Sequence, residues 1–128
     1  MKLLDTTFLI DLLRGKKETE KIFRGNELLL TTQINMYEVI RGLFLRNVSS
    51  ARFVEVMELF ETTRVLPLDD GAVLRSAEIS AGLIKNGETV ADADCLIAGI
   101  ALSKGITAIV TKDAADFSRI EGLSVETY

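Results

Sequence analysis

Short, wholly apolar runs recur along the chain, each followed by a longer stretch in which apolar residues return every three or four positions. Buried strands alternating with one-faced helices are expected from such a pattern. Lys2-Leu3-Leu4 reads as a first strand that stops at Asp5, and Thr6 opens an amphipathic helix carrying Phe8, Leu9, Leu12 and Leu13 to Gly15. Lys16 to Arg24 predicts a second short helix, and Glu27 to Thr31 a second strand. Thr32 can cap a helix running to Arg46, and a further helix covers Ser50 to Glu61. Val65-Leu66 is a short third strand ahead of Pro67. Asp69 or Asp70 then caps a helix with Val73, Ala77, Ala81 and Ile84 at helical spacing, which Asn86-Gly87 ends. Asp92 opens an apolar helix to Ser103, Lys104-Gly105 turns the chain, Thr107 to Thr111 is a fourth strand and Leu123 to Glu126 a fifth.

Strands this short and apolar, separated by helices, imply an α/β protein with a central, mostly parallel sheet of about four to five strands flanked by helices on both faces. The 128 residues suit one domain, expected to span 1–128. In such sheets ligands bind beyond the carboxyl ends of the strands, where Asp5 and Asp113 both fall.

Composition narrows the chemistry more than the class. The chain holds no histidine and one cysteine, which excludes a Cys/His zinc site, a Ser-His-Asp triad and a histidine-based ribonuclease. Hydrolytic chemistry must therefore come mainly from carboxylates. The 19 acids against 15 bases leave a net charge of −4, which argues against a non-specific nucleic-acid coat but not against a local site. Cys95 lies within an apolar run and reads as a buried free thiol in a reducing cytoplasm. The opening segment is expected not to be a secretion signal, since Asp5 and Asp11 interrupt its apolar run, and no stretch is apolar for the roughly 18 residues of a membrane span.

Seven acids bear on the chemistry, each with a plain structural reading beside a functional one. Asp5 is either the N-cap of the first helix or a ligand at the sheet edge. Asp11, in mid-helix near Arg14, reads as a solvated or paired surface acid. Glu38 shares a helical stripe with Ile34, Gly42 and Leu45, so it needs a partner, either a ligand or Arg41, and Gly42 one turn on leaves room beside it. Asp92 and Asp94 point about 200° apart on a helix, so one caps while the other faces a site. Asp94 aligns with the small side chains of Ala98 and Ala101, and Asp92 is the better cap. Asp113 and Asp116 follow the fourth strand in an Asp-rich turn, a common device that gains weight only from its position.

Taken in order, Leu4-Asp5-Thr6, Tyr37-Glu38-x-x-x-Gly42, Asp94-x-Leu96-Ile97-Ala98 and Val110-Thr111-Lys112-Asp113-x-x-Asp116-Phe117 resemble the signature of PIN-domain ribonucleases, specifically VapC-type toxins of toxin–antitoxin pairs. The resemblance covers essentially the whole chain. It implies a single PIN-like nuclease domain with Asp5, Glu38, Asp94 and Asp113 as an acidic quartet, Asp116 as an auxiliary acid, and Thr6 and Thr111 as orienting hydroxyls. The Thr-Lys-Asp run leaves open whether Asp113 or Asp116 is the main fourth acid. Gly99 stands where many relatives have alanine, a change not expected to alter chemistry.

Converging carboxylates need a counter-charge, and hard oxygen donors favour Mg²⁺ or Mn²⁺. The expected reaction is hydrolysis of an RNA phosphodiester, with one or two metals held mainly by Asp5, Asp94 and Asp113, and with Glu38 acting through water. Arg14, Lys16, Lys17, Arg41, Lys112 and Arg119 are candidate phosphate contacts, or equally solvated surface charges. The resemblance further implies a homodimer and a cognate antitoxin. Leu43, Phe44, Phe53, Val56, Met57 and Phe60 offer more apolar surface than one small sheet needs. Two alternatives are a phospho-signalling receiver, which usually has adjacent acids after its first strand where this chain has Thr6-Thr7, and a non-catalytic interaction module, which gains nothing from concentrated acids.

Overall fold

A computed structural model describes residues 1–128. The elements run β1 (Lys2–Leu4), α1 (Thr6–Leu13), α2 (Lys17–Phe23), β2 (Leu29–Thr32), α3 (Gln33–Arg46), α4 (Ser50–Thr62), β3 (Arg64–Leu66), α5 (Asp70–Lys85), α6 (Asp92–Ser103), β4 (Ala108–Val110), α7 (Ala114–Phe117) and β5 (Ser124–Glu126). The sheet order is β3-β2-β1-β4-β5, and every pairing is parallel. Successive side chains of a strand point to opposite faces, and the core divides accordingly. Leu3 and Ile109 pack with Leu30, Ile97, Ile100 and Phe117 on one face. Leu4 and Val110 pack with Phe8, Leu9, Val39, Val56 and Phe60 on the other.

The strand order places the site. From β1 the chain steps outward to β2 and β3, then returns across the sheet to β4 on the opposite side of β1. This reversal splays the connections after β1 and β4 apart and opens a crevice at their carboxyl ends. Asp5 follows β1 and Thr111 follows β4, so residues remote in sequence meet there.

The expected caps at Thr32 and Asp69 are present, accepting from the backbone N–H of Asn35 at 3.2 Å and of Ala72 at 2.9 Å. Asp92 is not a cap: Ala91 occupies that position with no side-chain cap bond, and Asp92 is the exposed first residue of α6. The Asp-rich turn contains a four-residue helix, α7, pinned by the fully buried ring of Phe117. Asp11 is no surface acid. It is 5% exposed and pairs with Lys16 and Lys112, and not with Arg14, because the loop after β4 folds down onto α1.

On α5 the stripe of Val73, Ala77, Ala81 and Ile84 faces outward, and Ala72, Ser76 and Leu83 are buried instead. The choice follows from the packing of α5 against α6, where small side chains let the backbones approach. Gly99 lies against Ser76, and a Cβ on Gly99 would fall 1.9 Å from Ser76 Oγ and 2.7 Å from its Cα and N. Two of those atoms are backbone, so the helices must separate to admit a methyl group. Gly99→Ala is accordingly expected to cost about 2–3 kcal/mol of stability in denaturant unfolding, an overpacking penalty. A neutral result would mean that the two helices are not in this contact. No helix is long and apolar enough to cross a membrane.

Candidate functional site

Asp5 occupies the cap position of α1, yet its side chain makes no cap hydrogen bond. Its carboxylate turns inward instead. Thr111 Oγ1 donates to Oδ2 at 2.6 Å, and Asn35 Nδ2 donates to Oδ1 at 3.1 Å. Asp5 is 4% exposed, and burial raises its carboxyl above the ordinary value despite the hydrogen bond from Thr111. Its backbone N–H still donates to Val110 at 3.1 Å, so the side chain leaves the sheet from a rigid position.

Glu38 takes its partner from α1 and not from Arg41, whose guanidinium lies 5.2 Å from the centre of the Tyr37 ring. The hydroxyl of Thr6 donates to Glu38 Oε1 at 2.7 Å and accepts from Asn35 Nδ2 at 3.0 Å. Asn35 also accepts from Thr32 Oγ1 at 2.7 Å, which fixes the direction of its amide. This fully buried asparagine links Asp5 and Glu38, a role absent from the residues expected at the site. A signal existed, since Asn35 lies three residues before Glu38 on the same helix face. Gly42 is not needed for space within this chain, because a Cβ there would meet only the Arg46 guanidinium at an ordinary 3.7 Å.

Asp94, Asp113 and Asp116 complete the crevice, with carboxylate oxygens within 4.8 Å of one another. The hydroxyl of Thr111 accepts from the Asp113 N–H at 2.9 Å, and α7 carries Asp116 inward on the anchor of Phe117. Asp116, expected as auxiliary, thus stands in the tightest acidic group, while Asp5 sits beside it under its two hydrogen bonds. Burial pushes the Asp94 carboxyl up to about 7, and the charges of Asp5, Asp113, Asp116 and Glu38 add to that shift. None of these five acids forms an ion pair, although seven ion-pair contacts occur elsewhere. An uncompensated set of oxygen-only donors fits a hard divalent cation.

The basic candidates are largely engaged. Lys16 and Lys112 hold Asp11 at 3.2 and 2.8 Å, and Arg119 donates to the Thr89 carbonyl at 3.1 Å. Arg14 and Lys17 are exposed and form no ion pair. Of the apolar residues expected in excess on α3 and α4, Leu43, Val56 and Phe60 are core, whereas Phe44 is 69% exposed. Phe44 joins Tyr37, Ile40 and Leu45 along a groove of about 540 Å³ on α3.

A family model described as PIN domain matches residues 2–123. The tRNA(fMet)-specific endonuclease VapC of Salmonella typhimurium is 30% identical over 129 residues, covering 98% of this chain and 96% of that protein. Among solved structures, DNA-bound VapBC from Salmonella typhimurium aligns with a TM-score of 0.86 at 27% identity, over 98% of this chain and 96% of that one. VapBC-5 from Mycobacterium tuberculosis, a member of the VapBC family of toxin-antitoxin systems, aligns with a TM-score of 0.70 at 27% identity, over 98% and 95% of the two chains.

Proposed function

The chain belongs to the PIN-domain family, and from that premise we propose that it is a Mg²⁺- or Mn²⁺-dependent endoribonuclease, the toxin of a toxin–antitoxin pair. The observation that carries this reading is the gathering of five carboxylates, none paired with a basic side chain, at the one crevice the strand order opens. A pure binding module would have no use for that repulsion.

Asp94, Asp113 and Asp116 would hold the cation, with Asp5 lending charge from beneath. A bound divalent ion supplies Lewis acidity toward a phosphoryl oxygen and makes a nucleophile available at neutral pH. Glu38, held through Oε1 by Thr6, keeps its second oxygen to orient the attacking water. Thr6, Thr111 and Asn35 keep the carboxylates directed and dry on their buried side. Arg14 and Lys17 are the basic candidates best able to meet the RNA phosphates, being exposed and outside any ion pair, whereas Arg41 lies over the Tyr37 ring and Arg119 is bonded to the Thr89 carbonyl. The exposed groove on α3 is the natural seat for a second copy or the antitoxin, and the neighbours crystallised as VapBC complexes support such a partner. RNA is the substrate class, and tRNA is the first to try because the similar Salmonella endonuclease is specific for tRNA(fMet).

Purified protein is expected to cleave tRNA or a single-stranded RNA with Mg²⁺ or Mn²⁺, to stop in EDTA, and to recover when metal is restored. Asp92→Asn should keep full activity, since Asp92 is exposed and neither caps α6 nor joins the acidic group. Absence of cleavage with either metal on any RNA would sink the nuclease reading. Loss of activity in Asp92→Asn would show that the wrong acid of that pair has been assigned.

A further inference from the structure

Asp11 is the buried charge that the acidic site does not use. Its Oδ2 accepts from Lys112 Nζ at 2.8 Å and from the Tyr128 hydroxyl at 2.7 Å, and its Oδ1 pairs with Lys16 Nζ at 3.2 Å. Tyr128 is fixed in turn by an edge contact with Phe8, its ring centre 5.3 Å away, and Lys112 Nζ lies 5.4 Å from the centre of the Tyr128 ring. The lysine is therefore anchored from two sides, at the residue between Thr111 and Asp113. Its backbone N–H donates to Thr7 Oγ1 at 3.1 Å, and Thr7 Oγ1 lies 3.2 Å from Thr111 Oγ1. Because the Thr111 hydroxyl directs its hydrogen to Asp5, Thr7 is the donor in that contact. A directed path thus runs from Lys112 N–H through Thr7 and Thr111 to the Asp5 carboxylate, and Asp113 N–H joins it at Thr111.

We propose that the Asp11–Lys112 pair is a positioning device that holds the loop bearing Asp113 in register with Asp5, so that Lys112 serves the site through its anchor and is not a contact to RNA phosphate. The activity part of this inference rests on the nuclease reading above. The placement of the loop does not.

Three single variants of the full chain separate the possibilities: Asp11→Asn, Lys112→Met and Lys112→Arg. In metal-free protein, amide hydrogen exchange across residues 111–117 is expected to rise about tenfold or more in the first two, through local opening, and to stay low in Lys112→Arg. Mn²⁺ affinity by calorimetry should fall about 10- to 100-fold in the first two, the usual effect of losing a group behind the ligands, and return with arginine. RNA cleavage should lose kcat by a similar factor while KM and its salt dependence hold. The double variant Asp11→Asn/Lys112→Met should be no worse than either single one, since both remove one shared interaction. A direct phosphate contact behaves differently: Lys112→Met would raise KM and flatten the log KM against log salt slope by about 0.7, with Asp11→Asn harmless. That pattern, or unchanged exchange in Lys112→Met, overturns the proposal. Should Asp11→Asn fail to fold, Lys112→Met carries the same test from a side chain that is 45% exposed. Protein that binds Mn²⁺ yet cleaves no RNA defeats the nuclease reading and leaves the exchange and affinity results decisive for the loop.

Discussion

Asp94→Asn is expected to reduce RNA cleavage at least about a hundredfold while making the metal-free protein more stable at pH 8. The loss follows because a Lewis acid's share of catalysis is several kcal/mol, and about 1.4 kcal/mol corresponds to tenfold in rate. The gain follows from linkage. Asp94 titrates near 7 in the folded chain against an ordinary 3.8, so between those values the folded state holds a proton that the unfolded state has released. Stability attributable to this group is present below the lower value and is lost as pH rises through the upper one. Asparagine removes that loss. Asp5 shifts in the same direction, so the slope should shrink and not vanish. Melting temperatures in EDTA at pH 5.5 and pH 8 check the point, and added Mn²⁺ should stabilise the unmutated protein more than the variant. A variant that cleaves normally would remove Asp94 from the site, and one that melts lower at pH 8 would contradict the electrostatic account.

Asp5→Asn should lose both activity and stability, although the substitution is nearly isosteric. Both carboxylate oxygens of Asp5 accept hydrogen bonds, from Asn35 and from Thr111. An amide offers one acceptor and one donor, so one contact becomes donor against donor. Thr111 could accept from the amide only by turning its hydrogen to Thr7, since its oxygen already accepts from the Asp113 N–H, and Thr7, which accepts from the Lys112 N–H, would then have to redirect its own hydrogen. Reversing Asn35 would disturb Thr32 in the same way. The expected cost is about 1–3 kcal/mol in denaturant unfolding, the penalty for a buried polar group left unsatisfied. Cleavage should fall about 10- to 100-fold or more. Because the Asp5 carboxyl is also raised by burial, asparagine relieves a penalty that grows with pH, so the comparison belongs at pH 5.5, where an Asp5→Asn protein as stable as the unmutated chain would refute the hydrogen-bond network, whatever its activity.

These two acids differ for a reason that no motif displays. Asp5 and Asp94 belong to the same signature, yet one is bound by directed hydrogen bonds and the other is held against four negative neighbours. The comparisons place the chain in the PIN family over its length, and a receiver domain receives no support from them.

Much of the architecture is legible in the sequence alone. Helix and strand periodicity, the caps at Thr32 and Asp69 and the apolar strands ending at Asp5 and Thr111 are local properties, decided by neighbours within a few residues. The absence of histidine likewise limited the chemistry to carboxylates from composition alone. Contacts across the fold decided the rest. Whether α5 buries Val73 or Ser76 depends on how closely α6 can approach at Gly99. Whether Asp11 meets water or Lys112 depends on a loop 101 positions away in the chain, and Asn35 matters only because β1 brings Asp5 over it. Periodicity shows that a residue has a face. Burial and hydrogen-bond partners are set by whatever the sheet order places opposite that face, and strand order is a property of the whole chain.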